Sequence, residues 1–201
     1  TLNRATDTTR QPGSTFKILA AYSAALDAGG LTLASVQDDA PYTYAGANGK
    51  SVNNYDRRYR GFTTLREAIT DSINIVTVKT LAQAGVSLGW QYVQEYGFTT
   101  VDSRDMNEAL ALGGITQGVS NLELTAAYAA IANQGTYIRP KFYTKILDHD
   151  GNVLIDNTTP ESHTVIKDTT AWLLTSAMED VMTSGTGTSA YFGSSMAQAG
   201  K

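Results

Sequence analysis

The sequence predicts a largely helical α+β chain, and three observations carry that prediction. Apolar residues recur at helical spacing in six segments between Ser14 and Met182. Two Ser/Thr-x-x-Glu boxes, Thr64 to Glu67 and Ser120 to Glu123, mark helix starts. The Asp-Gly pair within "DHDGN" lies between two extended runs and reads as a hairpin turn.

The first helix runs from Ser14 to Ala28, with Phe16, Leu19, Ala20, Tyr22 and Leu26 on roughly one face, and Gly29-Gly30 ends it. Residues 32–63 are rich in Gly, Asn, Asp and Tyr and read as a long irregular surface segment with one short extended piece, a length that often serves function. Thr64 opens a short helix to about Thr70, and Asp71-Ser72-Ile73 interrupts it. The next helix spans Asn74 to Ala84 and is closed by Gly85; another follows from Ser87 to Tyr96 and stops at Gly97. Ser120 opens a helix to about Ala132. Strands at Thr136 to Asp148 and Val153 to Ile155 flank the Asp-Gly turn. A last helix, Thr169 to Met182, precedes the glycine-rich "TSGTGTSAYFG", and Trp90 and Trp172, both on expected helices, read as core residues.

With 201 residues, 42% of them hydrophobic, the chain can bury a real core. A net charge of −4 gives no basic footprint for nucleic acid. The absence of cysteine excludes disulfides, thiolate catalysis and Cys-based zinc sites, and it fits an oxidising or extracytoplasmic setting. Two histidines, His149 in the hairpin turn and His163 in a polar loop, are too few for a histidine-built metal cluster and read as surface residues. No cofactor is expected. "TSGTGTSA" lacks the lysine pattern of a phosphate-binding loop. No apolar run reaches the length of a membrane span, so any anchor is expected in parts of a parent chain outside these residues.

The chemistry centres on "QPGSTFK". Ser14 and Lys17 are three apart at a helix start, so hydroxyl and amine share a face, and unpaired N–H groups there favour negative charge. A serine hydroxyl is a weak nucleophile until a base takes its proton, and a lysine serves as that base only when burial and a neighbouring cation depress its pKa. Alone, S-x-x-K is also what an ordinary helix cap beside a solvated lysine looks like. Ser72-Ile73-Asn74 adds a second hydroxyl and a carboxamide suited to proton relay and substrate holding, though it too suits a helix cap. "AQAGK" then places Lys201 at the other end of the chain.

S-x-x-K, S-x-N and a late lysine, in that order, match the motif set of the serine penicillin-recognising enzymes. The wider text resembles one branch closely: the transpeptidase domain of class A, bifunctional, penicillin-binding proteins. "RATDTTRQPGSTFK", "NYDRRYRGFTTLREAITDSINIVTVK", "LALGGITQGVSNLELTAAYAAIANQGTYIRP" and "VMTSGTGTSA" carry the resemblance, which covers essentially the whole chain. It implies a β-lactamase/transpeptidase-like fold. Residues 1–201 would be one partial transpeptidase domain, a largely α-helical fragment lacking most of the family's central five-stranded sheet.

The resemblance also implies roles. Ser14 is acylated by the D-Ala-D-Ala end of a peptidoglycan stem peptide, with Lys17 as its base. Ser72 passes the proton to the leaving D-alanine, and Asn74 holds Lys17 and the substrate backbone. Lys201 corresponds to the lysine of K-T-G, lowering the pKa of Lys17 and attracting the substrate carboxylate. An amine from a neighbouring strand resolves the acyl-enzyme, and β-lactams stall as an ester on Ser14. The expected partners are stem peptides and β-lactams, not nucleic acid, at the extracytoplasmic face of the bacterial membrane. The chain departs from the family in stopping before the Thr and Gly of K-T-G, so the fragment is expected to be weakly active or inactive. The rivals are a serine β-lactamase, for which Glu108 and Glu123 are the candidate deacylation bases by elimination, and a non-catalytic β-lactam sensor or binding domain.

Overall fold

The computed structural model describes residues 2–45, 50–193 and 195–201. Helix α1, residues 13–27, is composite: a 3-10 turn Gly13–Thr15, a π-helical stretch Ile18–Tyr22 and an α-helical end Ser23–Asp27. Regular helices α2 (Leu65–Thr70), α3 (Asn74–Ala84), α4 (Val86–Glu95), α5 (Asn121–Ala132) and α6 (Asp168–Thr183) follow, with a 3-10 segment Glu108–Leu112 between α4 and α5. The strands are β1 (Thr9–Arg10), β2 (Val36–Asp39), β3 (Tyr42–Thr43), β4 (Ser51–Val52), β5 (Gly61–Thr64), β6 (Val119–Ser120), β7 (Thr136–Ile138), β8 (Lys145–Leu147), β9 (Val153–Asp156) and β10 (Ser162–Thr164).

These strands form five antiparallel pairs, β1 with β6, β2 with β5, β3 with β4, β7 with β10 and β8 with β9. Among the described residues no sheet is wider than two strands, so a five-stranded sheet has no counterpart among them.

Helix α1 runs through the centre of the core. Every residue from Phe16 to Ala25 is buried, and α1 packs against α3, α4 and the Glu108–Leu112 turn. Phe16 meets Phe98 edge to face, with ring centroids 5.0 Å apart. The π-turn bond from the Ser23 N–H to the Ile18 carbonyl is backed by the Ser23 side chain. The Ser23 hydroxyl donates to the Ile18 carbonyl at 2.9 Å, so the Tyr96 hydroxyl must be the donor in its 2.9 Å contact with Ser23. Both capping boxes form, Thr64 with Glu67 and Ser120 with Glu123, and they start α2 and α5 where their spacing predicts.

Four expectations are corrected. Residues 32–63 hold four short strands, β2 to β5, rather than one extended piece; residues 46–49 of that segment lie outside the described residues. The single strand expected over 136–148 is two. Pro140 has no N–H to continue a ladder, β7 turns aside to pair with β10, and only β8 joins β9 across the Asp-Gly turn. His163 lies in β10, not in a loop, and its ring reaches the Glu95 carbonyl at 2.8 Å. Trp172 is 68% exposed. The buried stripe of α6 is Thr170, Ala171, Leu174, Ala177, Met178 and Val181, and position 172 falls on the opposite face. Trp90 does pack against the core, donating to the Asp102 carbonyl at 3.1 Å.

Candidate active site

Four pieces of chain meet around a cleft of about 550 Å³: the start of α1, the connection between β4 and β5, the break between α2 and α3, and the glycine-rich segment after α6. Ser14, Asn54, Tyr55, Ser72, Asn74 and Thr186 are among the residues that line it.

Ser14 is exposed at the mouth, in the 3-10 turn that opens α1. The helix cap is Pro12, which has no hydroxyl, so the bland reading of Ser14 as a capping residue does not describe it. The turn is pinned from below. The Gln11 amide exchanges two hydrogen bonds with the Ile115 backbone, and the Tyr128 hydroxyl donates to the Thr15 carbonyl at 2.7 Å.

Lys17 lies one turn on and is fully buried. Its Nζ donates to the Ser72 carbonyl at 2.6 Å, the Ser72 hydroxyl at 3.0 Å and Asn74 Oδ1 at 2.6 Å. All three acceptors are uncharged. Burial, reinforced by the positive charge of Lys201, pulls the Lys17 pKa down to about 7. Lys201 is itself lowered to about 8 by burial, against the opposing pull of the Asp71 carboxylate, and its Nζ donates to the Ile69 carbonyl.

Ser72 sits where the backbone itself is under tension. Helix α2 ends in a Schellman motif: Ser72 N–H donates to the Ile69 carbonyl at 3.3 Å and Ile73 N–H to the Ala68 carbonyl at 3.0 Å. Ser72 takes the left-handed position of that motif, at φ +57°, where glycine is usual. The strained turn aims both its carbonyl and its hydroxyl at Lys17. The cap of α3 is Ile73, so Ser72 is not a helix cap either.

The structure therefore brings Ser14, Ser72 and Asn74 to one cleft, with Lys17 buried against Ser72 and Asn74 and the charge of Lys201 acting on it. The whole chain, residues 1–201, matches the family described as the penicillin-binding protein transpeptidase domain. This chain belongs to that family. The transpeptidase domain is 39% identical over 180 residues to penicillin-binding protein 1F of Bacillus subtilis, covering 90% of this chain and 24% of that protein. It is 34% identical over 207 residues to penicillin-binding protein 1A of Streptococcus pneumoniae, covering 100% of this chain and 28% of that one. The crystal structure of penicillin-binding protein 1A from Haemophilus influenzae superposes with a TM-score of 0.78 at 27% identity, over 100% of this chain and 33% of that chain. The relatives place the domain in the class A branch, and it spans about a quarter of their length.

The transpeptidase domain uses its other candidate groups structurally. Glu108 accepts from the Tyr42 hydroxyl and the Ala45 N–H, each at 2.9 Å. Glu123 caps α5 and accepts from Thr99. Neither is among the residues lining the cleft, and neither is His149 or His163. The aromatic residues of 42–62 divide: Tyr42 and Tyr44 pack on the core, while Tyr55, Tyr59 and Phe62 are exposed and Tyr55 lines the cleft. Arg60 pairs with Asp56 at 3.0 Å. Sequence reasoning passed over Asn54 and Asp39. Their signal was a buried-polar pair 15 residues apart, which no local pattern reveals.

Proposed function

We propose that this chain supplies the nucleophile, base and proton-relay groups of a serine D,D-transpeptidase that cross-links peptidoglycan stem peptides and is acylated by β-lactams. The observation that carries the reading is the buried Lys17 amine, with a pKa of about 7, gripped by Ser72 and Asn74 one turn from the exposed Ser14. At neutral pH a large share of such an amine is unprotonated and able to accept a proton.

Lys17 takes the Ser14 proton as Oγ attacks the carbonyl of the penultimate D-alanine, and the C–N bond to the terminal D-alanine then breaks. The leaving nitrogen receives its proton through the Ser72 hydroxyl, which is 3.0 Å from Lys17 Nζ. An ester on Ser14 remains, and an amine of a second stem peptide attacks it, forming the new amide as the C–O bond breaks and the amine's proton returns through Lys17 to the Ser14 oxygen. In a β-lactam the broken amide lies in a ring, so the leaving nitrogen stays tethered and the ester persists. The ammonium group of Lys201 favours the carboxylate that both ligand classes carry. On this reading residues 1–201 are part of a transpeptidase domain whose five-stranded sheet lies outside them. The site works at the extracytoplasmic membrane face, where its polymer lies. Among the described residues no helix is long and apolar enough to cross a membrane.

The test is the intact mass of the full-length protein that carries these residues, before and after benzylpenicillin, beside a Ser14→Ala variant. A gain of one whole drug molecule, absent in the variant, is expected. A folded wild-type protein that takes up no drug sinks the assignment.

A further inference from the structure

We infer that Asn54, oriented by Asp39, is a positioning residue of the acylation site and acts through the first turn of α3. The inference rests on the transpeptidase reading above and extends it to residues that touch neither Ser14 nor Lys17.

The start of α3 must stay fixed for Lys17 to be held, because Asn74 is its first residue. Its local cap, Ile73, offers no side-chain acceptor for the free N–H groups. Asn54 supplies that acceptor from 20 residues upstream: its Oδ1 accepts from the Asn74 N–H at 3.0 Å and the Ile75 N–H at 3.2 Å. Its Nδ2 donates to the Asp39 carboxylate, at 2.8 and 3.0 Å, and to the Arg58 carbonyl at 2.8 Å. Asn54 is 4% exposed, and both ends of its side-chain amide are engaged.

Asp39 decides which way that amide faces. The carboxylate is completely buried and can only accept, so it must meet the NH₂ side of Asn54 and leave Oδ1 for the helix. It also accepts from the Arg60 N–H at 2.9 Å, with the Arg60 guanidinium 3.8 Å away to offset its charge.

The adjacent residue completes the link to chemistry. The Asn53 carbonyl accepts from Asn74 Nδ2 at 2.7 Å, which turns Asn74 Oδ1 toward Lys17. One dipeptide therefore fixes Asn74 twice: Asn54 holds its backbone and Asn53 sets its side-chain amide. A positional error here passes directly to the base, and misplacements of about 1 Å cost reactions of this kind on the order of 100-fold.

The experiment measures benzylpenicillin acylation of the full-length protein, separating the limiting rate constant from the dissociation constant of the preceding complex. Melting temperature is followed in parallel. Asn54→Ala is expected to lower the rate constant by about 10- to 100-fold while the dissociation constant changes by less than about threefold. Asn54→Asp sets a carboxylate against Asp39 and is expected to be slower still. Adding Asp39→Asn to it exchanges donor and acceptor across the pair, and is expected to recover about tenfold of the loss. Should Asn54→Ala fail to fold, the exchanged pair decides alone. A folded Asn54→Ala protein that acylates within about twofold of wild type, or an exchanged pair whose losses simply add, overturns the positioning role. Wild-type acylation alongside either result leaves the transpeptidase reading standing, whereas a wild type as silent as Ser14→Ala overturns both.

Discussion

Lys17 Nζ donates to Asn74 Oδ1 at 2.6 Å, an amine from the central helix meeting the first residue of a second helix with no carboxylate in the contact. An ion pair at this position would have locked the lysine as a cation. Neutral acceptors satisfy its hydrogens without stabilising its charge nearly as well, and burial then keeps the amine close to deprotonation at physiological pH. The arrangement is what the proposed base requires, and its cost falls on the folded state.

That cost has a sign that can be measured. An unfolded lysine titrates near ~10.4. The folded pKa of Lys17 is about 7, so between those values the unfolded chain binds more protons than the folded one. Folding stability contributed by this group therefore rises with pH from about 7 upward, and Lys201, at about 8, adds to the rise from its own folded pKa. Melting temperature followed from pH 6.5 to 9.5 is expected to increase, and Lys17→Met to flatten the increase while raising stability at pH 7 and abolishing acylation. A wild-type melting temperature that fell across this range would contradict a buried, neutralised Lys17.

Ser72 is a second place where stability is given up. A non-glycine residue in the left-handed region costs about 1–2 kcal/mol, and Ser72 occupies it at φ +57° in a position that favours glycine. Ser72→Gly is expected to stabilise the fold by about 1 kcal/mol, a melting-temperature gain of roughly 2–4 °C in a domain of this size. The same change removes the hydroxyl beside Lys17 and is expected to slow acylation by about 100-fold. Calorimetry and acylation kinetics on one variant check both halves. A variant neither more stable nor slower would mean that the turn is unstrained and the hydroxyl idle.

Helix starts were legible because their signals are local. A Thr or Ser and a Glu three residues on form a complete motif, and Gly85 stops α3 where an N–H ladder meets φ +107°. Ser14 and Lys17 were legible for the same reason, three positions apart on one turn. The β2–β5 ladder was not. Asp39 pairs with Gly61 across the intervening β3–β4 pair, and neither strand alternates polar and apolar residues cleanly. Asn54 was hidden in the same way: a helix cap normally lies next to its helix, and this one arrives from 20 residues upstream. Trp172 misled because size suggests burial, whereas the phase of α6 decided its exposure.

The floor beneath Ser14 supplies the last prediction. Gly113, at φ +73°, lies directly under the turn that opens α1, and a β-carbon there would stand 2.5 Å from the Gly13 carbonyl oxygen and 2.7 Å from its nitrogen. Both neighbours are backbone, so the clash is relieved only by moving Gly13, the residue before Ser14. Gly113→Ala is expected to cost about 1–3 kcal/mol and to slow acylation by at least about tenfold. A control separates strain from displacement: Gly151 also has positive φ, at +86°, yet nothing lies within 4 Å of its β-carbon position in the distant β8–β9 turn. Gly151→Ala should pay a backbone penalty of similar origin and leave the acylation rate unchanged. Equal acylation by the two variants would mean that Ser14 is placed by α1 alone, without the support of the Gly113 turn.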